Sequence, residues 1–146
     1  MKSIRCELIN RERSCSQIDK IHTQNDPLSI QRALIVREPY ASMIVSGTKT
    51  WEIRGSNTKI RGIVGIIAGG TGTVIGMCDL VDVRGPLSLE EYKNSYKQRG
   101  LSALHDSSGL PYNQTYAWVM ENARAFDEPV PYLHPNGAVI WVKFST

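Results

Sequence analysis

The stretch PYASMIVSGTKTWEIR, residues 39–54, carries a helix signal, a turn signal and a strand signal in succession. Pro39 suits the first turn of a helix, and Gly47 suits the left-handed position just past a helix end. Beyond the turn, Trp51 and Ile53 alternate with polar side chains, which is the period of a half-buried strand. The stretch therefore predicts a short helix followed directly by a strand whose two apolar side chains face the core.

Further apolar runs and a second helix signal fill most of the remaining chain. Ser88 and Glu91 have the spacing of a capping box, so we expect a helix from there to about Gln98. Gly76 permits a bulge in a long strand. Together these signals predict a mostly β (α+β) fold with two short helices, a small and mostly antiparallel barrel of five to six strands. Five runs have the length or period of strands: ALIVR (33–37), GIVGIIA (62–68), TVIGMCDLVDV (73–83), TYAWVME (115–121) and AVIWVKF (138–144).

The opening of the chain differs from the rest in its hydrophobic pattern. Residues 1–31 are mostly polar and show no sustained period. We interpret them as a poorly ordered tail or linker through which protein partners could bind. Residues 32–146 are then the single barrel domain that a chain of this length allows.

The net charge of +3 is distributed unevenly. Residues 1–31 carry five basic and four acidic side chains, residues 32–61 carry six and two, and residues 62–146 carry six and eight. A local positive potential concentrates anionic partners even where the whole chain is near neutral. The excess of four positive charges over residues 32–61 therefore favours a nucleic-acid partner, with a solvated basic face as the alternative.

The order of these motifs resembles the ASCH (activating signal cointegrator homology) domain. The resemblance runs over about residues 33–144 through PYASMIVSGTKTWEIR, KIRG, GTVIGMCDLVDV, YAWVMENARAF and GAVIWVKF. Its most specific part is the pattern G-x-K-x-x-E-x-R, formed here by Gly47, Lys49, Glu52 and Arg54. The resemblance implies a barrel related to the PUA RNA-binding fold, with this motif lining a cleft.

The family is implicated in RNA and DNA binding, so the resemblance implies a nucleic-acid-binding module, and we favour RNA. In such a cleft, Glu52 can accept from an exocyclic amine, and a Lys or Arg can reach a phosphate or a carbonyl oxygen. Tyr40 is the best stacking surface. The alternative is an exposed Glu52–Arg54 ion pair and a solvated loop. The predicted binding residues are Tyr40, Ser42, Lys49, Glu52, Arg54, Lys59 and Arg61.

A second function is implied by a bacterial branch of the family. That branch hydrolyses the amide of N4-acetylcytidine with a Lys, a Thr three residues later and a more distant Glu. Lys49 matches the Lys, Glu52 stands at the Thr position, and the region of the distant Glu offers Asp106. The alternative hypothesis is therefore a small hydrolase of a modified nucleoside or of RNA, with Lys49 and Glu52 as its acid–base pair.

Other classes of site find no support in the sequence. The run AGGTGTVIG (68–76) lacks the Lys-Ser/Thr pair of a phosphate loop, and a strand signal follows it. The His and Cys residues are widely separated, so we predict neither a metal site nor a cofactor. No apolar run approaches the ~20 residues of a membrane helix, and the N-terminus lacks a secretory signal. We therefore predict a cytoplasmic protein without a membrane partner.

Overall fold

A computed structural model of the protein describes residues 30–101 and 109–144. The predicted tail, up to residue 29, and Asp106 lie outside these ranges. Within them, six strands and two short helices form, which confirms the predicted mostly β fold. The elements are β1 (Arg32–Val36), α1 (Tyr40–Val45), β2 (Trp51–Arg54), β3 (Gly62–Ala68), β4 (Thr73–Arg84), α2 (Leu89–Asn94), β5 (Tyr116–Pro131) and β6 (Trp141–Lys143). No helix in these ranges is long and apolar enough to cross a membrane.

Three element ends differ from the prediction. The capping box at Ser88 forms with both of its hydrogen bonds, but α2 ends at Asn94 because the Ser95 hydroxyl donates to the Tyr92 carbonyl. Strand β5 continues to Pro131, and β6 begins only at Trp141. Strand β5 extends beyond the stretch in which apolar and polar residues alternate because it pairs with β4 along its length. The local sequence does not indicate this long-range pairing.

The strands form one sheet in the order β2-β5-β4-β3-β1-β6. All neighbours are antiparallel except β1 and β3, which are parallel because α1 and β2 lie between them in the chain. The sheet curls into a half-barrel whose edges are β2 and β6. The open seam between those edges is where the candidate site lies.

Strands β4 and β5 bend the sheet through register shifts. One shift falls between Val74 and Gly76, which confirms the predicted bulge at this glycine. A Cβ atom at Gly76 would lie 2.4 Å from the Arg124 carbonyl oxygen, so only glycine permits this close approach of the two strands. The bend turns the inner faces of both strands toward α1.

The interior of the half-barrel is a continuous apolar core. Trp118 of β5 stacks on Trp141 of β6, with ring centroids 5.8 Å apart, and so joins opposite sides of the barrel. Helix α1 closes one end with its buried face. A second apolar cluster covers the other face of the sheet and includes the fully buried Ile30 and Met77. The interior cluster contains Leu34, Val36, Ala41, Ile44, Val45, Val64, Ile66, Ala68, Cys78, Leu80, Trp118 and Met120.

The alternation of β2 is present, but the prediction of its inward face was wrong. Glu52 lies opposite Trp118 in the sheet and is 7% exposed. Trp51 and Ile53 are only partly buried, on the outer face, where they pack against the cluster containing Tyr92. Segments that follow β4 in the chain cover this outer face of β2. Strand β2 therefore buries side chains on both of its faces, and the Glu52 carboxylate lies on the inner one.

Candidate functional site

A cavity of about 490 Å³ opens at the seam of the half-barrel. Its walls come from β1, the start of α1, β2, the segment after α2 and the loop before β5. Ligand pockets of small molecules span roughly 300–1,000 Å³, so this volume lies in the range of a small-molecule pocket. Its charged and aromatic lining residues are Arg37, Tyr40, Lys49, Glu52, Arg54, Tyr92, Arg99 and Tyr112.

Glu52 forms the centre of the ionic network in the cavity. Its Oε2 lies 2.9 Å from Nε of Arg54, and its Oε1 lies 3.7 Å from Nζ of Lys49. The predicted alternative of an exposed ion pair is therefore wrong, because this carboxylate is almost fully buried. A carboxylate has about four acceptor sites, so Glu52 retains capacity for a donor from a ligand.

Arg54 also connects the two sides of the open seam. Its Nη2 donates to the Ile35 carbonyl of β1 at 2.8 Å, and its guanidinium lies 5.6 Å from the Trp118 ring centroid. The Ile35 N–H donates to the Ile140 carbonyl just before β6. Arg54 thus provides a side-chain link between β2 and β1, which are not neighbours in the sheet.

Lys49 is buried at the base of the cavity. It is 4% exposed, and its Nζ donates to the Trp51 carbonyl at 2.6 Å and the Arg99 carbonyl at 3.4 Å. The ammonium lies 5.3 Å from the Tyr40 ring centroid. Burial lowers the pKa of Lys49; Glu52 opposes this shift, and the nearby Arg99 charge adds to it.

This lowered pKa makes the stability of the fold depend on pH. Between the folded-state pKa of Lys49 and its ordinary value of 10.5, the unfolded chain binds more protons at this residue. The Lys49 contribution to the free energy of unfolding therefore rises with pH across that window. We expect the stability of wild type relative to Lys49→Met to increase as the pH rises through this window toward 10.5.

Urea unfolding of both proteins from neutral pH to about 10.5 measures this difference. Burial raises the pKa of Cys78 to about 12, and that of Tyr132 is also raised, so both groups cost stability at alkaline pH. Their contributions are common to the two proteins and cancel in the difference. A stability difference that does not change with pH would contradict the lowered pKa.

Of the seven predicted binding residues, the structure brings Tyr40, Lys49, Glu52 and Arg54 together in the cavity. The other three lie outside it. Ser42 is exposed, and its N–H and hydroxyl donate to the Glu38 carboxylate at 2.8 and 2.7 Å. Lys59 and Arg61 are exposed, and the Arg61 guanidinium donates to the carbonyls of residues 58 and 60. Neither residue lines the cavity.

Arg99 is the main site residue that the sequence did not indicate. It is 3% exposed, its Nε donates to the Ser95 hydroxyl at 3.1 Å, and its guanidinium lies 4.0 Å from the Tyr92 ring centroid. Its Nη2 is buried without a hydrogen-bond partner among the described residues. No motif marks this arginine, because its place in the site depends on hydrogen bonds between its backbone segment and residues some fifty positions away.

The segment around Arg99 is fixed to the start of β2 by backbone contacts. The N–H groups of Thr50 and Trp51 both donate to the Gln98 carbonyl, at 2.8 and 2.9 Å. Gly100 adopts φ +81°, and a Cβ there would lie 2.4 Å from Cε of Met43. Glycine therefore permits the turn that holds Arg99 against Lys49.

The fold has close counterparts among solved structures. A crystal structure of ASCH from Zymomonas mobilis superposes with a TM-score of 0.60 at 16% identity, covering 78% of this chain and 87% of that chain. A serine-to-alanine variant of that protein gives 0.59 at 16% identity with the same coverage. A tyrosine-to-phenylalanine variant gives 0.53 at 19% identity, covering 68% of this chain and 74% of that chain. At such identities the similarity establishes the shared fold.

The sequence itself gives the family. No curated protein sequence is detectably similar to this chain. The family model of the ASCH domain, however, matches residues 34–130, which span β1 to nearly the end of β5. This match includes the G-x-K-x-x-E-x-R motif and the Trp118 strand, and it confirms the resemblance drawn from the motifs. The chain belongs to the ASCH domain family.

Proposed function

We propose that the protein binds RNA by taking one nucleotide unit into the seam cavity. The observation that carries this proposal is the buried Lys49–Glu52–Arg54 network on the floor of a cavity of about 490 Å³. Removing charged side chains from water costs free energy of folding, so a buried charge network is weak evidence for a purely stabilising role. Clefts that contain titratable groups with perturbed pKa values are candidate functional sites.

The lining matches the parts of a nucleotide. Glu52 can accept from a base amine, while Arg54 and Lys49 can donate to a base carbonyl or a phosphate. The Tyr40 ring forms part of the wall, with Lys49 and Arg37 at 5.3 and 5.8 Å from its centroid. An aromatic ring in the wall offers a stacking surface for the bases of a single strand, which are free to leave the stack.

Lys49→Met tests this proposal against binding on the outer basic surface. Loss of a hydrogen bond to a charged group costs about 1.5–3 kcal/mol, so we expect the Kd for short single-stranded RNA to rise roughly 10- to 100-fold. The melting temperature at neutral pH, measured alongside, shows whether the variant is folded, so that a change in Kd is not the result of unfolding. Fluorescence anisotropy at fixed salt measures the Kd.

The matched control is Lys59→Met, which removes an exposed lysine outside the cavity. It should change the affinity only through general electrostatics, with a loss that disappears as the salt concentration rises. If Lys59→Met weakens binding as much as Lys49→Met at high salt, the RNA binds the outer surface and the cavity proposal is wrong.

The alternative function is hydrolysis of a modified nucleoside of the N4-acetylcytidine type. It is favoured by the lowered pKa of Lys49 and by the Glu52 oxygen 3.7 Å away, because a lysine with a depressed pKa can act as a base. Water would add to the acyl carbonyl with its proton taken by Lys49. The bond between the acyl carbon and N4 would then break, with that proton passed to the leaving amine, and the products would be cytidine and acetate. Incubation with N4-acetylcytidine followed by chromatography tests this, and formation of cytidine that Lys49→Met abolishes would establish it over simple binding.

A further inference from the structure

The charge of the cavity is not balanced by the groups that line it. Four cationic side chains contribute, Arg37, Lys49, Arg54 and Arg99, against one carboxylate, Glu52, among the described lining residues. Four positive groups against one negative group leave a formal excess of three. Even if Lys49 is neutral, two positive charges have no counterpart in the described lining.

Arg99 is a buried cation of this cavity without an ion-pair partner among the described residues. Its guanidinium cannot lose a proton in a protein, and it forms no ion pair with any described carboxylate. Glu52 is already engaged by Lys49 and Arg54. Ser95 and Tyr92 hold the Arg99 side chain in one orientation, yet its Nη2 is buried without a partner in the described structure. A fixed guanidinium with an unused donor is pre-organised for an oxyanion.

The cavity therefore has two chemically different parts. The Glu52–Arg54 pair offers an acceptor and donors, which suits the edge of a base. Arg99 offers positive charge without an acceptor, which suits a phosphate. Lys49 lies close to both: its Nζ is 3.7 Å from the Glu52 oxygen, and the positive charge of Arg99 contributes to lowering its pKa. A nucleotide carries both complementary parts, whereas a neutral nucleoside leaves Arg99 unpaired.

We propose that Arg99 is a phosphate-binding residue and that the cavity selects a nucleotide over the corresponding neutral nucleoside. This rests on the proposed binding of a nucleotide unit, and it adds the part of the ligand that Arg99 contacts. The phosphate is either that of a free nucleoside monophosphate or that of an RNA strand, and both present the same oxyanion.

Calorimetric titration tests the proposal with three kinds of probe: the four ribonucleosides, their 5′-monophosphates, and inorganic pyrophosphate. We expect wild type to bind at least one monophosphate about tenfold or more tightly than its nucleoside, as for a hydrogen bond to a charged group. Arg99→Gln should remove this preference, because it should weaken monophosphate binding about tenfold more than nucleoside binding. Arg99→Lys, which keeps the charge without the planar fork, should retain part of it.

The matched control is Arg124→Gln. Arg124 also has buried guanidinium nitrogens, Nε and Nη2, without partners among the described residues, but it lies outside the cavity lining. Its replacement should leave the phosphate preference intact. If Arg99→Gln does not melt cooperatively, a competition experiment with the wild-type protein replaces it. Pyrophosphate should then displace the monophosphate but not the nucleoside, because the two bind different parts of the cavity.

The outcomes separate this inference from the function it rests on. If nucleosides and monophosphates bind equally, nucleotide-unit binding stands and the role of Arg99 is overturned. If pyrophosphate binds in an Arg99-dependent way but no nucleoside or nucleotide does, the anion site stands and the proposed RNA function fails. If no probe binds, both are overturned.

Discussion

Glu52→Gln should lower the free energy of unfolding by about 3–5 kcal/mol, the range found when one partner of a buried ion pair is removed. The amide has the shape of the carboxylate but no charge, so Lys49 and Arg54 would remain buried without their shared counter-ion. Lys49 can respond by losing its proton, which limits the cost, but Arg54 cannot. Urea unfolding at neutral pH measures the change.

An exposed ion pair between a carboxylate and an arginine two positions later in the chain serves as the control for Glu52→Gln. Asp82 pairs with Arg84 at 3.8 Å, with side chains 54% and 61% exposed. Asp82→Asn should cost no more than about 1 kcal/mol, as surface ion pairs do. If Glu52→Gln costs no more than Asp82→Asn, the carboxylate does not compensate buried charge and its place in the site is wrong.

The same Glu52→Gln variant distinguishes the two proposed functions. For a binding module, affinity for the phosphates should hold or rise while discrimination between bases falls, because a charge-assisted acceptor has become neutral. For a hydrolase, the variant removes an acid–base group that typically supplies 10²- to 10⁴-fold of rate, while substrate binding persists. Unchanged affinity, selectivity and turnover would contradict both functions.

Arg54→Met should destabilise the fold by about 3–5 kcal/mol, the range for removing one partner of a buried ion pair, and it also leaves a carbonyl without its donor. The Ile35 carbonyl would lose the 2.8 Å hydrogen bond that links β1 to β2, and Glu52 would keep Lys49 alone. Because the Arg54 charge is one cause that lowers the pKa of Lys49, that pKa should rise in the variant. Urea unfolding gives the stability, and amide hydrogen exchange near the seam shows whether β1 and β2 separate locally.

Arg84→Met is the matched control for this second prediction. Arg84 also lies 5.6 Å from a tryptophan ring centroid, that of Trp51, and also pairs with a carboxylate, but it is exposed. Its loss should cost at most about 1 kcal/mol. Equal effects of the two variants would mean that Arg54 does not hold the seam together.

Local signals were sufficient for most of the elements. The capping box at Ser88, the left-handed position at Gly47 and the bulge at Gly76 all occur as predicted, because each depends on a few consecutive residues. Strand β3 has the predicted bounds, Gly62–Ala68. The family motif likewise identified Lys49, Glu52 and Arg54 as neighbours, since two to five residues separate them along the chain.

The sequence by itself determined the elements, their order, the family and the motif at the seam. Only the tertiary structure decided which face of β2 points inward, because a period of two distinguishes the faces of a strand but not their surroundings. Pairing with β5 placed Glu52 inside, and the segments after β4 covered Trp51. The position of Arg99 beside Lys49 was likewise a tertiary result, since the backbone carbonyls of Gln98 and Arg99 accept hydrogen bonds from residues 49–51, about fifty positions away in the chain.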